Sequence, residues 1–274
     1  MGVISARATS YLFNKMIMDE MGPLTLMADR FLLAFIIMAL LFAGRLIRIN
    51  KREIISGLII GTAFFAVMVA ELYGVRSTES STCAFLENLA IVIVPIMQSI
   101  ITRTLPSKWT VIAVLLAITG VGCLTLKAGA FGLGIGELLC ILAAVLYATA
   151  IITTDRFSRM GDPLLIGIVQ VGTMGALGLI FALVFEEPHL PTTHISWLML
   201  IGLAVVCTCF GYTLQPMAQS KTSAERTGLF CSFSPLVAGI VGVVFGHENL
   251  GVMGMIGGAL IIIAIIVSNK KEAR

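Results

Sequence analysis

Continuous apolar runs, each about twenty residues long and parted by short polar or proline-bearing breaks, set the rhythm of this chain. They predict ten helical segments, at about 2–18, 24–46, 53–74, 82–102, 108–127, 135–155, 163–186, 195–217, 224–246 and 250–268. Strands of a membrane barrel would alternate apolar and polar residues over roughly ten positions, and these runs do not alternate. In lipid the remaining way to satisfy backbone N–H and C=O groups is the helix. Pro23, Pro106, Pro163 and Pro191 fall in turns between segments, where a missing N–H does no harm. The first segment is the weakest, because Arg7, Asn14 and Lys15 interrupt it. That interruption, with no clean small-residue cleavage site, also argues against a signal peptide.

The pattern repeats. A shift of 144 residues lays the stretch 71–107 over 215–251, with Glu71 on Gln215, Thr78 on Thr222 and Glu87 on Cys231. A shift of 140 places Lys15 on Asp155, Pro23 on Pro163 and Arg30 on Gln170. The expected architecture is all-α and integral to the membrane, ten transmembrane helices as two five-helix repeats over 1–128 and 133–270, with a cytoplasmic tail at 271–274. An odd number of helices per repeat forces the halves into opposite orientations, the inverted plan of many transporters.

Composition strengthens the membrane assignment. Charged residues make up 12% of the chain, against about 25% in soluble domains, and the mean hydropathy is +1.02. The net charge of +3 is spread over short loops, which speaks against nucleic acid as a partner. Basic residues sort by loop. Even-numbered loops and the C-terminus carry Arg45, Arg48, Lys51, Arg52, Arg103, Lys108, Arg156, Arg159, Lys221, Arg226, Lys270, Lys271 and Arg274, while odd-numbered loops carry only Arg76 and Lys127. The positive-inside rule then puts both termini in the cytoplasm of a multi-pass plasma-membrane protein. The six cysteines form no C-x-x-C pair and read as free thiols. No histidine-based zinc motif occurs, and Gly132-Leu-Gly134-Ile-Gly136 lacks the preceding strand of a nucleotide loop, so no metal or cofactor is expected.

Candidate chemistry lies in the charges set inside the apolar segments. Taking ~1.5 Å of rise per residue, Lys15, Arg30, Glu71 and Glu87 share a depth roughly 5–10 Å below the outer surface. A buried charge at such a depth is a functional candidate unless it is paired. One reading is a structural ion-pair network joining the first four segments. The other is a binding or proton-coupling site, with Glu71 and Glu87 as coupling carboxylates and Lys15 and Arg30 as their switchable partners. Asn88, Tyr147, Gln215 and Ser232, polar or aromatic positions near the midplane or the inner vestibule, complete the set of substrate-binding or coupling candidates. Gly57-x-x-x-Gly61 and Gly242-x-x-x-Gly246 allow close helix approach, read here as packing within the chain rather than a dimer face. Monomer and homodimer both remain open.

Several short motifs, in order, resemble the EamA family of the drug/metabolite transporter superfamily. In the first half they are Lys15, Pro23-Leu24-x-x-Met27-Ala28-x-Arg30-Phe31, Tyr73-Gly74, Thr78, Ala84-Phe85-Leu86, Pro95 and Gly120-Val121-Gly122. In the second they are Gly136-Glu137-Leu138, Ala143-Ala144-x-x-Tyr147-Ala148, Asp162-Pro163, Gln215, Ala218-Gln219, Pro235, Glu248 and Gly257-x-Ala259-Leu260. The resemblance implies a five-plus-five transporter that exports or exchanges small metabolites, amino acids or drugs. Two departures stand out: the first segment lacks the usual tryptophan-glycine pair, and Glu71 and Glu87 occupy positions often neutral in relatives. The function expected is secondary active transport of a small solute by alternating access, in lipid, with protons as a candidate coupling ion. The alternative is an intramembrane lipid-modifying enzyme, for which no catalytic residues stand out.

Overall fold

The computed structural model of the protein describes residues 10, 13–103, 105, 108–125, 134–220 and 251–268. Within them the chain is helical, with no strand. The helices are α1 (Pro23–Leu41), α2 (Ala43–Leu46), α3 (Lys51–Ser77), α4 (Ser80–Glu87), α5 (Ala90–Thr102), α6 (Lys108–Thr125), α7 (Ile135–Phe157), α8 (Pro163–Phe185), α9 (His194–Gly202), the π-helix Leu203–Tyr212, α10 (Gln215–Ser220) and α11 (Gly251–Ser268). Six stretches are long and apolar enough to cross a membrane: Pro23–Leu41, Lys51–Ser77, Thr82–Ile101, Ile135–Phe157, Pro163–Phe185 and His194–Met217. Two shorter apolar helices, Val111–Gly120 and Gly251–Val267, fall on the fifth and tenth expected segments. Of the first segment, residues 13–17 are helical, and the ninth, 224–246, lies outside the described residues.

Two spans expected to be continuous are broken. The fourth parts into α4 and α5 at Asn88 and Leu89, where Leu89 N donates to Leu86 O at 3.1 Å, a tightened turn. The eighth widens into the π-helix: Thr213 N reaches back five residues to Thr208 O at 3.1 Å. Other helices begin as their sequences dictate. Asn50 and Glu53 form a reciprocal capping box at the start of α3, each bond 3.0 Å. Thr193 caps α9 through Ser196 N at 3.2 Å.

Close approaches fix the relative directions of the central helices. α3 and α7 run antiparallel, with Gly136 against Ser77, Gly74 against Cys140 and the Phe64 ring against Tyr147. α3 and α8 run parallel, Gly57 lying on Val169 and Gly61 on Thr173. The small-residue spacing of Gly57 and Gly61 thus serves packing within the chain. α1 and α8 cross antiparallel, Ala28 meeting Gly178, Leu32 meeting Gly175 and Phe35 meeting Gly172. A Cβ on Gly175 would stand 2.8 Å from the Leu32 amide nitrogen, so this crossing needs glycine.

These directions gather the loops at two ends. At one, the acidic end, Glu186 bonds Leu24, Thr25 and Tyr73, Glu20 bonds Thr192 and Ser196, and Thr78 bonds Glu137. At the other, the basic end, Glu53 accepts from Asp162 N at 2.8 Å, and Arg45 stands 3.9 Å from Asp162. The first, third and seventh loops and the start of α7 share one end and the second and sixth loops the other, as alternating spans require.

Candidate functional site: a buried guanidinium beneath an aromatic cluster

Arg30 lies on the inner stripe of α1 with Met27, Phe31, Ala34 and Met38, which are buried at helical spacing. The stripe carries the arginine into the core, where it is 1% exposed. Its Nε donates to Thr208 Oγ1 at 2.7 Å and its Nη1 to Asn14 Oδ1 at 3.2 Å. The π-helix places Thr208 there, and the threonine hydroxyl in turn donates to Leu203 O at 3.0 Å. The guanidinium carbon stands 5.2 Å from the centre of the Phe31 ring and 5.8 Å from that of Tyr212, cation–π distances in a desolvated setting. Arg30 Nη2 and Asn14 Nδ2 are buried without a hydrogen-bond partner among the described residues.

The rings continue as a cluster. Phe31 meets Tyr212 edge-on at 5.2 Å, Tyr212 meets Phe64 at 5.8 Å, and Phe64 meets Tyr147 at 5.9 Å. Tyr212 Oη donates to Met68 Sδ at 3.0 Å, a contact between residues 144 positions apart. That separation equals the shift relating the two halves of the sequence.

A matching family model, described as the EamA-like transporter family, covers residues 1–126 and 134–270. The chain belongs to the EamA-like transporter family. It is 24% identical to an "Uncharacterized transporter" of Archaeoglobus fulgidus over 253 residues, 92% of this chain and 79% of that protein. It is 26% identical to the "Uncharacterized transporter YetK" of Bacillus subtilis, over 77% of this chain and 66% of the relative. A solved crystal structure shares its fold with a TM-score of 0.72 at 17% identity, covering 97% of this chain and 93% of its own. Family membership places the protein in a membrane with a small-molecule substrate to move.

In this EamA-like protein the other expected site residues are distributed unevenly. Glu71 and Glu87 are buried, at 2% and 1% exposure. Cys83 touches Cys140, the two sulfurs 2.7 Å apart. Asn88, also buried, sits at the break between α4 and α5, where its Nδ2 donates to Ala84 O at 2.7 Å. Lys15 Nζ donates to Thr78 O at 2.8 Å and so caps the C-terminal end of α3. The hydrogen bonds of Lys15 and Arg30 therefore go to neutral groups rather than to the two glutamates. Tyr147 is in the aromatic cluster, whereas Gln215 opens α10 and is half-buried. Ser232 lies outside the described residues. Gln170, the repeat partner of Arg30, is fully buried with both amide atoms unpartnered among the described residues.

Asn14, Phe31, Phe64, Thr208 and Tyr212 join the site without having been singled out as site candidates from the sequence. The repeat shift held the signal for Tyr212, because it falls on Met68. Nothing local marks Thr208, which reaches Arg30 only through the π-helix. Outside the spans, Glu20 accepts from Thr192 Oγ1 at 2.5 Å and from Thr192 N and Ser196 Oγ, and these bonds hold its carboxyl down to about 2. Among the described residues no three His, Cys, Asp or Glu side chains gather as metal ligands would.

Proposed function

We propose that the protein is a secondary active transporter, an exporter or exchanger of a small metabolite, amino acid or drug-like solute, working by alternating access. The observation that carries this reading is the guanidinium, aromatic cluster and two glutamates buried inside membrane-length helices, where charge is costly unless it has work to do. The broken spans at Asn88 and at the π-helix favour it too, since interrupted helices are a recurrent way to build a transporter's binding site.

The moving parts are two inverted five-helix repeats, residues 1–128 and 133–270, of a ten-helix bundle. Support comes from the crossing of α1 and α8: under the shift of 140 the Leu32–Gly175 contact becomes the Phe35–Gly172 contact. Contacts that exchange in this way surround a pseudo-two-fold axis, as the Met68–Tyr212 contact does. The acidic end faces outward and both termini are cytoplasmic, in a plasma membrane, because Arg45, Arg48, Lys51, Arg52, Arg156 and Arg159 crowd the opposite end. Glu71 and Glu87 are the carboxylates that couple transport to protons.

Reconstitution into proteoliposomes with an imposed pH gradient tests the reading. Wild-type protein should accumulate a solute against its gradient, and Glu71→Gln and Glu87→Gln should lose the pH-driven part while remaining folded. Wild-type pH dependence in both variants removes the coupling assignment, and failure to move any solute removes the transporter reading.

A further inference from the structure

We propose that the unpartnered N–H groups of Arg30 and Asn14 form a receptor for one carboxylate group, so that the solute moved carries a carboxylate. The proposal rests on the transporter reading and adds the chemical class of its substrate.

The donor inventory leads to it. A guanidinium has five N–H bonds and no acceptor. Arg30 spends Nε on Thr208 and Nη1 on Asn14, which leaves Nη2 without a partner among the described residues at 1% residue exposure. Only the amide oxygen of Asn14 can face a guanidinium N–H, so its Nδ2 is a second unmet donor on the residue that pairs with the guanidinium, and Asn14 is 0% exposed. Native proteins pair buried donors almost without exception, and two donors unmet among the described residues leave room for an acceptor that a bound solute would supply. What is missing is a planar group with two acceptor oxygens and a negative charge, the geometry a guanidinium matches best.

The surroundings narrow the ligand further. Thr208 fixes the guanidinium from the π-helix side, and Phe31 and Tyr212 cover it, so water does not compete for its charge. Among the described residues the cluster offers a single guanidinium. A monoanionic carboxylate matches the one positive charge of Arg30, whereas a phosphate dianion would exceed it. The arrangement also keeps its own bonds on binding: the ligand takes Nη2 and Nδ2 while the Thr208 and Asn14 contacts stay made.

Asn14→Asp is the sharpest probe. It preserves shape and the acceptor for Arg30 Nη1, removes the Nδ2 donor, and sets a like charge against an incoming carboxylate. Purified full-length protein would be assayed by thermal shift against a panel of short aliphatic and aromatic monocarboxylates and free amino acids, each beside its uncharged amide or ester. At least one carboxylate should stabilise the wild type while its neutral partner does not. Asn14→Asp should weaken that binding at least tenfold and keep its own melting temperature. Asn14→Ala, which retains the Arg30–Thr208 bond, gives a second variant expected to weaken binding in the same direction. No stabilising carboxylate, equal stabilisation by the neutral partners, or full binding by the variants overturns the receptor. If another solute is still transported, the transporter reading stands without it. If a carboxylate binds but nothing moves, the receptor stands and that reading falls.

Discussion

The starts of α1 and α8 occupy equivalent places in the two halves, each with proline in the first turn, Pro23 and Pro163, yet they are capped by different means. At α8 the cap is local: Asp162 Oδ1 accepts from Leu164 N at 2.9 Å. At α1 the capping position is Gly22, which has no side chain to offer, and the acceptor is Glu186. Its carboxylate takes Leu24 N at 3.1 Å and both Thr25 N and Thr25 Oγ1 at 2.8 Å, and Tyr73 Oη approaches at 3.4 Å. The glycine leaves room for that carboxylate, because a Cβ would sit 2.1 Å from Glu186 Oε2. Under the proposed alternating access, separating the halves at the basic end would leave the α8 cap in place. At the acidic end the same movement would uncap a helix. The cap of α1 is at once a helix terminus and a bond between halves, and under the proposed alternating access it would favour the conformation closed at the acidic end.

The largest consequence is expected at Glu186. Glu186→Ala leaves two backbone N–H groups of α1 without an acceptor, a loss of about 1–2 kcal/mol by analogy with removed N-caps. It should also loosen the acidic end. In a cysteine-free background, a cysteine at Thr192 should alkylate faster in this variant than in its parent, and the melting temperature should fall. Unchanged labelling with a lowered melting temperature would reduce Glu186 to a cap without a closing role.

The mirror experiment is Asp162→Ala. It removes one local acceptor at ~1 kcal/mol, and Asp162 N keeps its bond to Glu53. The melting temperature should drop by less than in Glu186→Ala, with labelling at Thr192 unaffected. Faster labelling there would mean that the two ends are coupled through α8, and the contrast between the caps would lose its meaning.

How much of this was legible beforehand follows the same division between local and distant causes. Span positions, the Asp162-Pro163 start and the alternation of loops follow from apolar runs, prolines and basic residues, which are local signals. The burial of Arg30, Glu71, Glu87 and Tyr147 was also within reach, because charges and polar rings inside apolar segments have few other places to go. The role of Glu186 was hidden: in the sequence it closes a segment at the edge of a polar loop, and its partners lie up to 162 positions away. Lys15 was expected beside the glutamates, but the carbonyl end of α3 offers it a nearer acceptor at Thr78. Thr208 escaped because a regular α-helix would turn it by a different angle, and no residue in 203–212 announces a π-helix.

The smallest effect, and the one with a pH signature, belongs to Glu20. Its carboxylate ties the turn after the first segment to Thr192, Thr193 and Ser196. Those bonds bring its pKa from 4.5 down to about 2. A carboxyl whose pKa is depressed on folding contributes above its unfolded value and loses that contribution as pH falls through the folded one. The tie should therefore hold undiminished at neutral pH, weaken below about 4.5 and release near 2. Because Glu20 sits at the exposed rim, water screens the effect and it should stay small. Trp197, adjacent to Ser196, is a built-in reporter once Trp109 is replaced by phenylalanine. Its emission should stay level from neutral pH to about 4.5 and change toward 2, and Glu20→Gln should abolish that change. A midpoint at 4.5 in the parent would mean that Glu20 titrates as a free carboxyl, and that the acidic end is held by Glu186 without its help.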